Sequence, residues 1–422
     1  MVLLAEASSE SGPSAIVSLF WIALAAMAAP LIARLLRGYV PDVVVLLLCG
    51  MAIGPFGLHW ADSAGGVDLL AELGLGMLFL LAGYELDPAL LRGRSGRLAW
   101  STWVCCLLFA LALVALSAPE ADFTAHIAVA IAMTSTALGT LLPIVKQAGE
   151  LDRPLGRAVL AHGAVGELAP VVAMSLLLTS RSVGAAAVIL VLFLMAAGLV
   201  GLLPRRMLDR VPGFGRVLTE LSGGTAQLPV RAVFLLLMIL MAVAEVFDLD
   251  VVLGAFAAGV ILRRLIAAGH PEVGPSLETV GYGVLIPIFF VDSGMGIDIG
   301  AVIGEPVLWL AFVASIGVAR GMPVWLSERF VAHGANLASG RERARLALYA
   351  ATGLPIIVAV TQVATGAGLM GQKLASTLVA AGATTVLLFP LIARVIGGTG
   401  ASGQRSGNAA QPADPGDGPH SP

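Results

Sequence analysis

The chain has 422 residues, of which 58% are hydrophobic and 12% are charged, and its mean hydropathy is +0.94. Soluble globular domains contain about 25% charged and about 45–50% apolar residues, so this composition indicates a polytopic membrane protein. The formal net charge is −3 and no run of Lys and Arg could follow a phosphate backbone, which excludes a nucleic-acid partner.

A window of about 20 apolar residues per crossing predicts thirteen membrane spans in the lipid bilayer. The predicted spans are 16–36, 41–58, 67–87, 98–118, 124–147, 155–179, 183–203, 229–248, 250–266, 277–297, 303–327, 344–368 and 373–396. The longest connection, residues 204–228, is predicted to link two halves. We expect residues 1–15 to be an extracytoplasmic N-terminus and residues 397–422 to be a disordered cytoplasmic tail.

The basic residues give an independent test of this topology. With the N-terminus outside, 21 of the 24 Lys and Arg residues fall in inner connections or the tail. Arg181 and Lys373 fall outside, and Arg320 falls within a span. Because basic residues accumulate on the cytoplasmic side, the sequence predicts a multi-pass protein of the cell inner membrane with a cytoplasmic C-terminus.

Ionisable groups in the middle of spans are candidate functional residues, because placing them in hydrocarbon costs on the order of 3 kcal/mol or more. Glu167 lies at the centre of the sixth span, in the segment HGAVGELAP. A carboxyl group at this depth suits proton-coupled transport, because a cation can compete with the proton for it. The simpler alternative is a protonated glutamic acid that hydrogen-bonds a neighbouring helix. Glu85 and Glu245 lie near span ends, where contacts with headgroups or loops are the simpler interpretation.

Three other polar residues within spans leave alternatives open. Arg320 keeps its charge at any accessible pH and needs a carboxylate or freed carbonyls, so it is a functional counter-charge or a structural counter-ion. Asp292 is that counter-ion's partner, a second cation ligand, or a residue of the outer vestibule. His162, five residues before Glu167, is a proton relay or a buried histidine with satisfied hydrogen bonds. The sequence predicts no cofactor.

Two spans contain residues that interrupt a helix at mid-depth. The fifth span reads MTSTALGTLLP at residues 133–143, and the twelfth reads ATGLPIIVAV at residues 351–360. Each is fifth in its half, about 16–179 and 229–396, with one span as connector, which predicts an inverted repeat with a midplane site. The breaks would expose backbone groups that can coordinate a cation. The alternative is that Ser, Thr and Gly merely allow close helix packing.

Three segments together resemble a known family. They are LAELGLGMLFLLAGYELD at 70–87, LGAFAAGVIL at 253–262 and IPIFFVDSGMGID at 286–298. They are similar to the monovalent cation:proton antiporter superfamily, in its Kef-like and NapA-like exchanger branch. The resemblance covers residues 16–396, with Tyr84 in place of a Leu and Asp292 in place of a usually neutral residue.

The resemblance implies an all-α, NhaA/NapA-like fold with two crossing discontinuous helices, a mobile core and a dimerisation region in a homodimer. It assigns Glu167 as the carboxylate that binds Na⁺ or K⁺ and H⁺ in turn, and Arg320 as the intramembrane basic residue. It places Thr134, Ser135 and Thr136 at one helix break and Thr352 and Gly353 at the other.

One departure from the family concerns the ion site. The family usually has Asp-Asp or Asn-Asp where this chain has Gly166 and Glu167. Because Arg320 cannot release a proton, only Glu167 is left to titrate, with Asp292 as the one residue that could add a second acid. The sequence therefore predicts electroneutral exchange of one proton for one monovalent cation.

Two other functions stay open at this point, a cation channel and a sodium-coupled organic-anion symporter of related architecture. An enzyme is a distant alternative, because the chain has no HExxH, no Walker A sequence and no paired catalytic Asp. Either Na⁺ or K⁺ suits a site of one carboxylate with carbonyl and hydroxyl oxygens.

Overall fold

The computed structural model describes residues 13–36, 40–147, 150–151, 153–178, 183–210, 228–266, 273–331, 337 and 339–398. These residues form helices and contain no strand. The helices are α1 (Ala15–Leu35), α2 (Asp42–Ile53), α3 (Val67–Glu85), α4 (Gly93–Ser117), α5 (Phe123–Met133), α6 (Leu138–Gln147), α7 (Pro154–Leu177), α8 (Val183–Arg210), α9 (Leu228–Val246), α10 (Val251–Ile266), α11 (Val273–Val280), α12 (Ile286–Met295), α13 (Ile299–Gly304), α14 (Pro306–Ile316), α15 (Met322–Phe330), α16 (Gly340–Ala350), α17 (Leu354–Gly366) and α18 (Gln372–Gly398).

The membrane character of the chain is confirmed. Within the described residues, nine helical segments are long and apolar enough to cross a bilayer, counting α11–α12, α14–α15 and α16–α17 as continuous segments. The predicted second and fifth spans coincide with shorter apolar helices. The total of thirteen crossings therefore stays a prediction. Most of the predicted N-terminus (1–12) and tail (399–422) lies outside the described residues, and so does most of the predicted linker (211–227).

The predicted helix breaks are present, and two further irregularities accompany them. The fifth span is divided into α5 and α6, and the twelfth into α16 and α17. A π-helical turn at Gly281–Leu285 joins α11 to α12, and another at Gly317–Gly321 joins α14 to α15. Single π turns within α-helices occur often at functional sites. The helix of the seventh predicted span, α8, is longer than predicted and ends at Arg210.

The helices form two groups that pack mainly within themselves. The first, which we call the panel group, contains α1–α3 and α9–α12, with α3 against α10 and α2 against α12. The second, the core group, contains α4–α7 and α14–α18, and it includes both broken helices. Each predicted half of the chain contributes three of its predicted spans to each group, as expected for an inverted repeat.

Glycines allow the helices of the panel group to touch backbone to backbone. A Cβ atom on Gly83 of α3 would overlap the Phe256 carbonyl of α10, and one on Gly259 would overlap the Leu80 carbonyl of α3. Small residues are the usual means of close helix packing in membranes. The LGAFAAG segment is therefore explained by packing of α10 on α3.

Candidate functional site

The two broken helices cross, and their extended residues bond to each other at the crossing. The Ala137 amide donates to the Thr352 carbonyl at 2.7 Å, and the Ser135 hydroxyl donates to the Gly353 carbonyl at 3.2 Å. The N-termini of α6 and α17 both begin at this level. Helix N-termini carry partial positive charge and unsatisfied amides, so the crossing offers sites for negatively charged groups.

The hydroxyl groups at the crossing donate hydrogen bonds to backbone carbonyls beside the breaks. Thr134 donates to the Ala130 carbonyl at 2.9 Å and Thr352 donates to the Tyr349 carbonyl at 2.7 Å. Thr136 donates to the Ala350 carbonyl, which links the first break to the end of α16. These side chains are fully or almost fully buried. The structure thus places the five predicted crossing residues together, where they hold the two breaks in place. They do not line the cavity described below.

Glu167 faces the crossing from α7. Its carboxyl group lies near the backbone N–H of Leu138, the first residue of α6. The residue is 6% exposed, and that exposure is to a cavity of about 170 Å³. A helix N-terminus stabilises a carboxylate, and the open cavity side leaves room for a cation or a proton.

Arg320 lies fully buried behind Glu167, in the π turn between α14 and α15. Its guanidinium donates to the His162 carbonyl at 2.9 Å and to the Thr136 hydroxyl at 3.2 Å, and it contacts the Cys106 sulfur at 3.7 Å. Its partners among the described residues are therefore neutral groups. The alternative that Asp292 pairs with Arg320 is wrong, because Asp292 bonds elsewhere.

The same arrangement explains the glycine in front of Glu167. A Cβ atom on Gly166 would overlap the Arg320 guanidinium and the Thr136 hydroxyl. Its carbonyl accepts from the Thr136 amide at 2.8 Å. The space of the family's usual companion acid is thus filled by the arginine and the first break.

His162 has a carboxylate partner in the N-terminal half of α7. Its Nε2 lies 3.2 Å from Oε1 of Glu328 on α15, and both side chains are almost fully buried. Its Nδ1 has no hydrogen-bond partner among the described residues. His162 does not line the cavity that holds Glu167, and its backbone carbonyl accepts from Arg320, so its role as a proton relay stays a prediction.

The cavity in front of Glu167 lies between the two helix groups. Its core-group wall contains Ala137, Gly139, Glu167 and Pro355. The panel-group wall consists of residues of α2, α3, the first π turn and α12: Asp42, Val43, Leu46, Leu78, Phe79, Ala82, Glu85, Tyr282, Ile286, Pro287 and Phe290. Three acidic residues, Asp42, Glu85 and Glu167, and the phenol of Tyr282 thus line an otherwise apolar cavity.

Glu85 was missed by the sequence interpretation, which assigned it to contacts at a span end. It is the last residue of α3, and it lines the same cavity as Glu167. Its carboxylate oxygen Oε2 is buried and has no hydrogen-bond partner among the described residues. The available signal was its position in the GYELD segment, which resembles a family motif.

Asp292 lies in a second cavity between the groups, nearer the C-terminal end of α12. It accepts a hydrogen bond from the Ser63 hydroxyl at 2.6 Å. The cavity is polar, with a volume of about 170 Å³, and Gln362 of α17 joins it by donating to Ser293 at 3.2 Å. The Asp292 cavity shares no lining residue with the cavity of Glu167. Of the three alternatives for Asp292, the position in a vestibule agrees with this placement.

Crossed broken helices, a buried carboxyl group at their crossing and cavities between two helix groups define an ion-transport protein of the inverted-repeat class. The model of the family described as "Sodium/hydrogen exchanger, transmembrane" matches residues 22–396, so the chain belongs to this family. The family resemblance is therefore confirmed, and the family is one of transporters.

Known relatives agree with this assignment. The chain is 26% identical over 355 residues to the putative Na⁺/H⁺ antiporter YjbQ of Bacillus subtilis, covering 78% of this chain and 55% of the relative. It is 27% identical over 329 residues to the glutathione-regulated potassium-efflux system protein KefC of Klebsiella pneumoniae, covering 74% and 50%. The chain thus spans about half the length of the curated relatives it matches.

The fold is also that of a solved structure. The sodium proton antiporter MjNhaP1 of Methanocaldococcus jannaschii matches with a TM-score of 0.64 at 17% identity, covering 91% of this chain and 97% of that one. The predicted all-α fold with crossing discontinuous helices is confirmed.

Proposed function

We propose that the protein is a secondary antiporter that exchanges protons for Na⁺ or K⁺ across the cell inner membrane. The observation that carries the proposal is the position of Glu167, a buried carboxyl group that lines a cavity and lies near the N-terminus of α6. Family membership and relatives described as Na⁺/H⁺ antiporters or potassium-efflux systems favour this function over a channel or an organic-anion symporter.

In this mechanism, a proton and a cation compete for the Glu167 carboxylate. The α6 N-terminus stabilises the ionised carboxylate when neither is bound, and the free oxygen faces the cavity. The core group, which carries Glu167, moves relative to the panel group. This movement exposes the site first to one side of the membrane and then to the other. Cavities at two levels of the same interface support this alternation.

We propose that exchange is electroneutral. Glu167 is neutralised by one proton or by one monovalent cation, and the nearby Arg320 keeps a constant charge. Glu85 and Asp292 belong to the panel group and do not travel with Glu167. One proton therefore crosses for one cation, with no net charge moved.

The predicted topology gives the orientation of this cycle. Asp42 at the start of α2 and Glu85 at the end of α3 lie at the predicted inner ends of the second and third spans. The Glu167 cavity then opens to the cytoplasm, and the Asp292 cavity opens to the outside. We also propose a homodimer, formed through the panel group, as the family resemblance implies.

The test is cation-driven proton flux in proteoliposomes, measured with a pH-sensitive dye for Na⁺ and K⁺ in turn. Glu167→Gln keeps the shape of the side chain but cannot exchange protons, so we expect it to insert normally and to abolish the flux. Glu245→Gln, an exposed residue at the end of α9, is the matched control and keeps wild-type flux. Full exchange by a properly inserted Glu167→Gln protein would refute the site, and single-channel currents would identify a channel instead.

A further inference from the structure

We infer that a groove on the surface of the core group binds an anionic phospholipid. The groove lies where α14 and α15 meet α16, and it has a volume of about 380 Å³. It shares no lining residue with the two cavities between the helix groups. One acyl chain of the lipid lies in the groove, and two arginines at the end of the groove hold the headgroup. Such a site is independent of the proposed exchange activity.

The groove is apolar, and small residues keep it open. Its lining includes Gly317, Gly321 and Trp325 on one side and Ala344, Ala347 and Ala351 of α16 on the other. The adjacent side chains of Val318 and Met322 are 44% and 40% exposed. Exposed apolar side chains within a predicted span are expected where a helix meets lipid. The groove therefore opens towards the hydrocarbon of the bilayer.

Two arginines flank the end of the groove that is nearest the predicted inner membrane surface. Arg329 lies in the last turn of α15, and its Cζ atom lies 5.6 Å from the ring centroid of Trp325, which lines the groove. Arg341 lies in the first turn of α16, three residues before Ala344 and so on the same face. Both arginines are exposed, and neither pairs with a carboxylate within the described residues.

An anionic phospholipid matches both parts of this site. Guanidinium groups bind phosphate oxygens well, and basic pockets between transmembrane helices on the cytoplasmic side attract acidic headgroups. Tryptophan is common at the boundary between hydrocarbon and headgroups, where Trp325 then lies. A helix of a second copy fits less well, because one helical turn with its side chains occupies about 400–600 Å³, which exceeds the volume of the groove.

The groove also lies behind the ion site. Its wall contains both ends of the π turn that carries Arg320, Gly317 and Gly321, and it contains Ala351, the residue that follows α16 at the second helix break. A lipid in the groove packs against both of these irregular segments. We therefore expect bound lipid to stabilise the core group against thermal unfolding.

Photolabelling tests the site directly. The full-length protein is placed in phosphatidylcholine vesicles with a trace of phosphatidylglycerol that carries a diazirine in its acyl chain. We expect labelled peptides from 317–325 and 344–351, and about tenfold less labelling there by a phosphatidylcholine probe with the same chain. Arg329→Gln combined with Arg341→Gln should lower labelling by phosphatidylglycerol about tenfold. Arg231→Gln, an exposed arginine at the start of α9 in the panel group, is the matched control and keeps wild-type labelling.

A third variant tests the groove without removing a charge. Ala344→Leu places a larger side chain in the groove and leaves both arginines in place, so we expect it to lower labelling by either probe. Equal labelling of the groove by the two probes, or unchanged labelling of the double arginine variant, overturns the inference. Photocrosslinks between two protein copies at the groove would identify a second copy as the occupant and overturn it as well.

The thermal midpoint of the purified protein in detergent gives a second measurement. Added phosphatidylglycerol should raise the midpoint of the wild-type protein and of Arg231→Gln more than phosphatidylcholine does, and the double arginine variant should lose this difference. An equal rise with the two lipids in the wild-type protein overturns the inference. Neither measurement uses ion exchange, so a protein without proton flux would refute the proposed function and leave the lipid site intact.

Discussion

Gly353→Ala tests whether the close contact of the two helix breaks holds the core group together. Gly353 precedes α17 with φ at −129°, which any residue can adopt, so the requirement for glycine is steric. A Cβ atom there would lie closer than 3.0 Å to the Ser135 hydroxyl and to the Ser135 carbonyl carbon and oxygen. A side chain can turn away, but the backbone of the other break cannot.

The magnitude follows from the contacts that must be given up. Overpacking of this kind costs about 1–3 kcal/mol. Separating the breaks also weakens the Ser135–Gly353 and Ala137–Thr352 hydrogen bonds, each with a net contribution of about 0.5–1.5 kcal/mol. We therefore expect a total destabilisation of about 2–6 kcal/mol.

The assay is the midpoint temperature at which the purified protein in detergent loses its monodisperse fraction, together with proton flux after reconstitution. Gly366→Ala is the control, because it lies on the same helix with no atom within 4 Å of the added Cβ. Combining Gly353→Ala with Ser135→Ala should not rescue stability, since the Ser135 backbone still lies 2.6 Å away. A Gly353→Ala protein as stable and active as the control would refute the reasoning.

Three further outcomes are expected. Arg320→Lys keeps the charge, but the lysine side chain cannot reach both the His162 carbonyl and the Thr136 hydroxyl. We expect it to lower the free energy of unfolding by about 2–4 kcal/mol and to reduce proton flux. A thermal midpoint equal to that of the wild-type protein would contradict this. Asp292→Asn should leave the apparent KM for the cation unchanged on the side to which the Glu167 cavity opens, because Asp292 lies in the other cavity; a higher KM on that side in oriented vesicles would show a shared site. Exchange rates in proteoliposomes should be independent of an imposed membrane potential, and a systematic dependence would rule out electroneutral exchange.

The sequence by itself determined the class of the protein and the depth of its important residues. Apolar runs and the distribution of Lys and Arg are properties of the linear chain, because a helix crosses the bilayer in a nearly fixed number of residues. The same rule locates Glu167 and Arg320 at mid-depth, and Thr, Gly and Pro identify both broken helices. The all-α fold with crossing discontinuous helices was predictable from these features and the family resemblance.

Only the tertiary structure decided which residues of similar depth face each other. The rotation of each helix about its axis and its choice of neighbours depend on packing between distant segments, such as α3 against α10. That packing brings Glu85 to the cavity of Glu167, although the sequence suggested only a span end. It also separates Asp292 from Glu167. It gives Arg320 neutral partners, a hydroxyl and a backbone carbonyl, where the linear sequence left a carboxylate and freed carbonyls equally open.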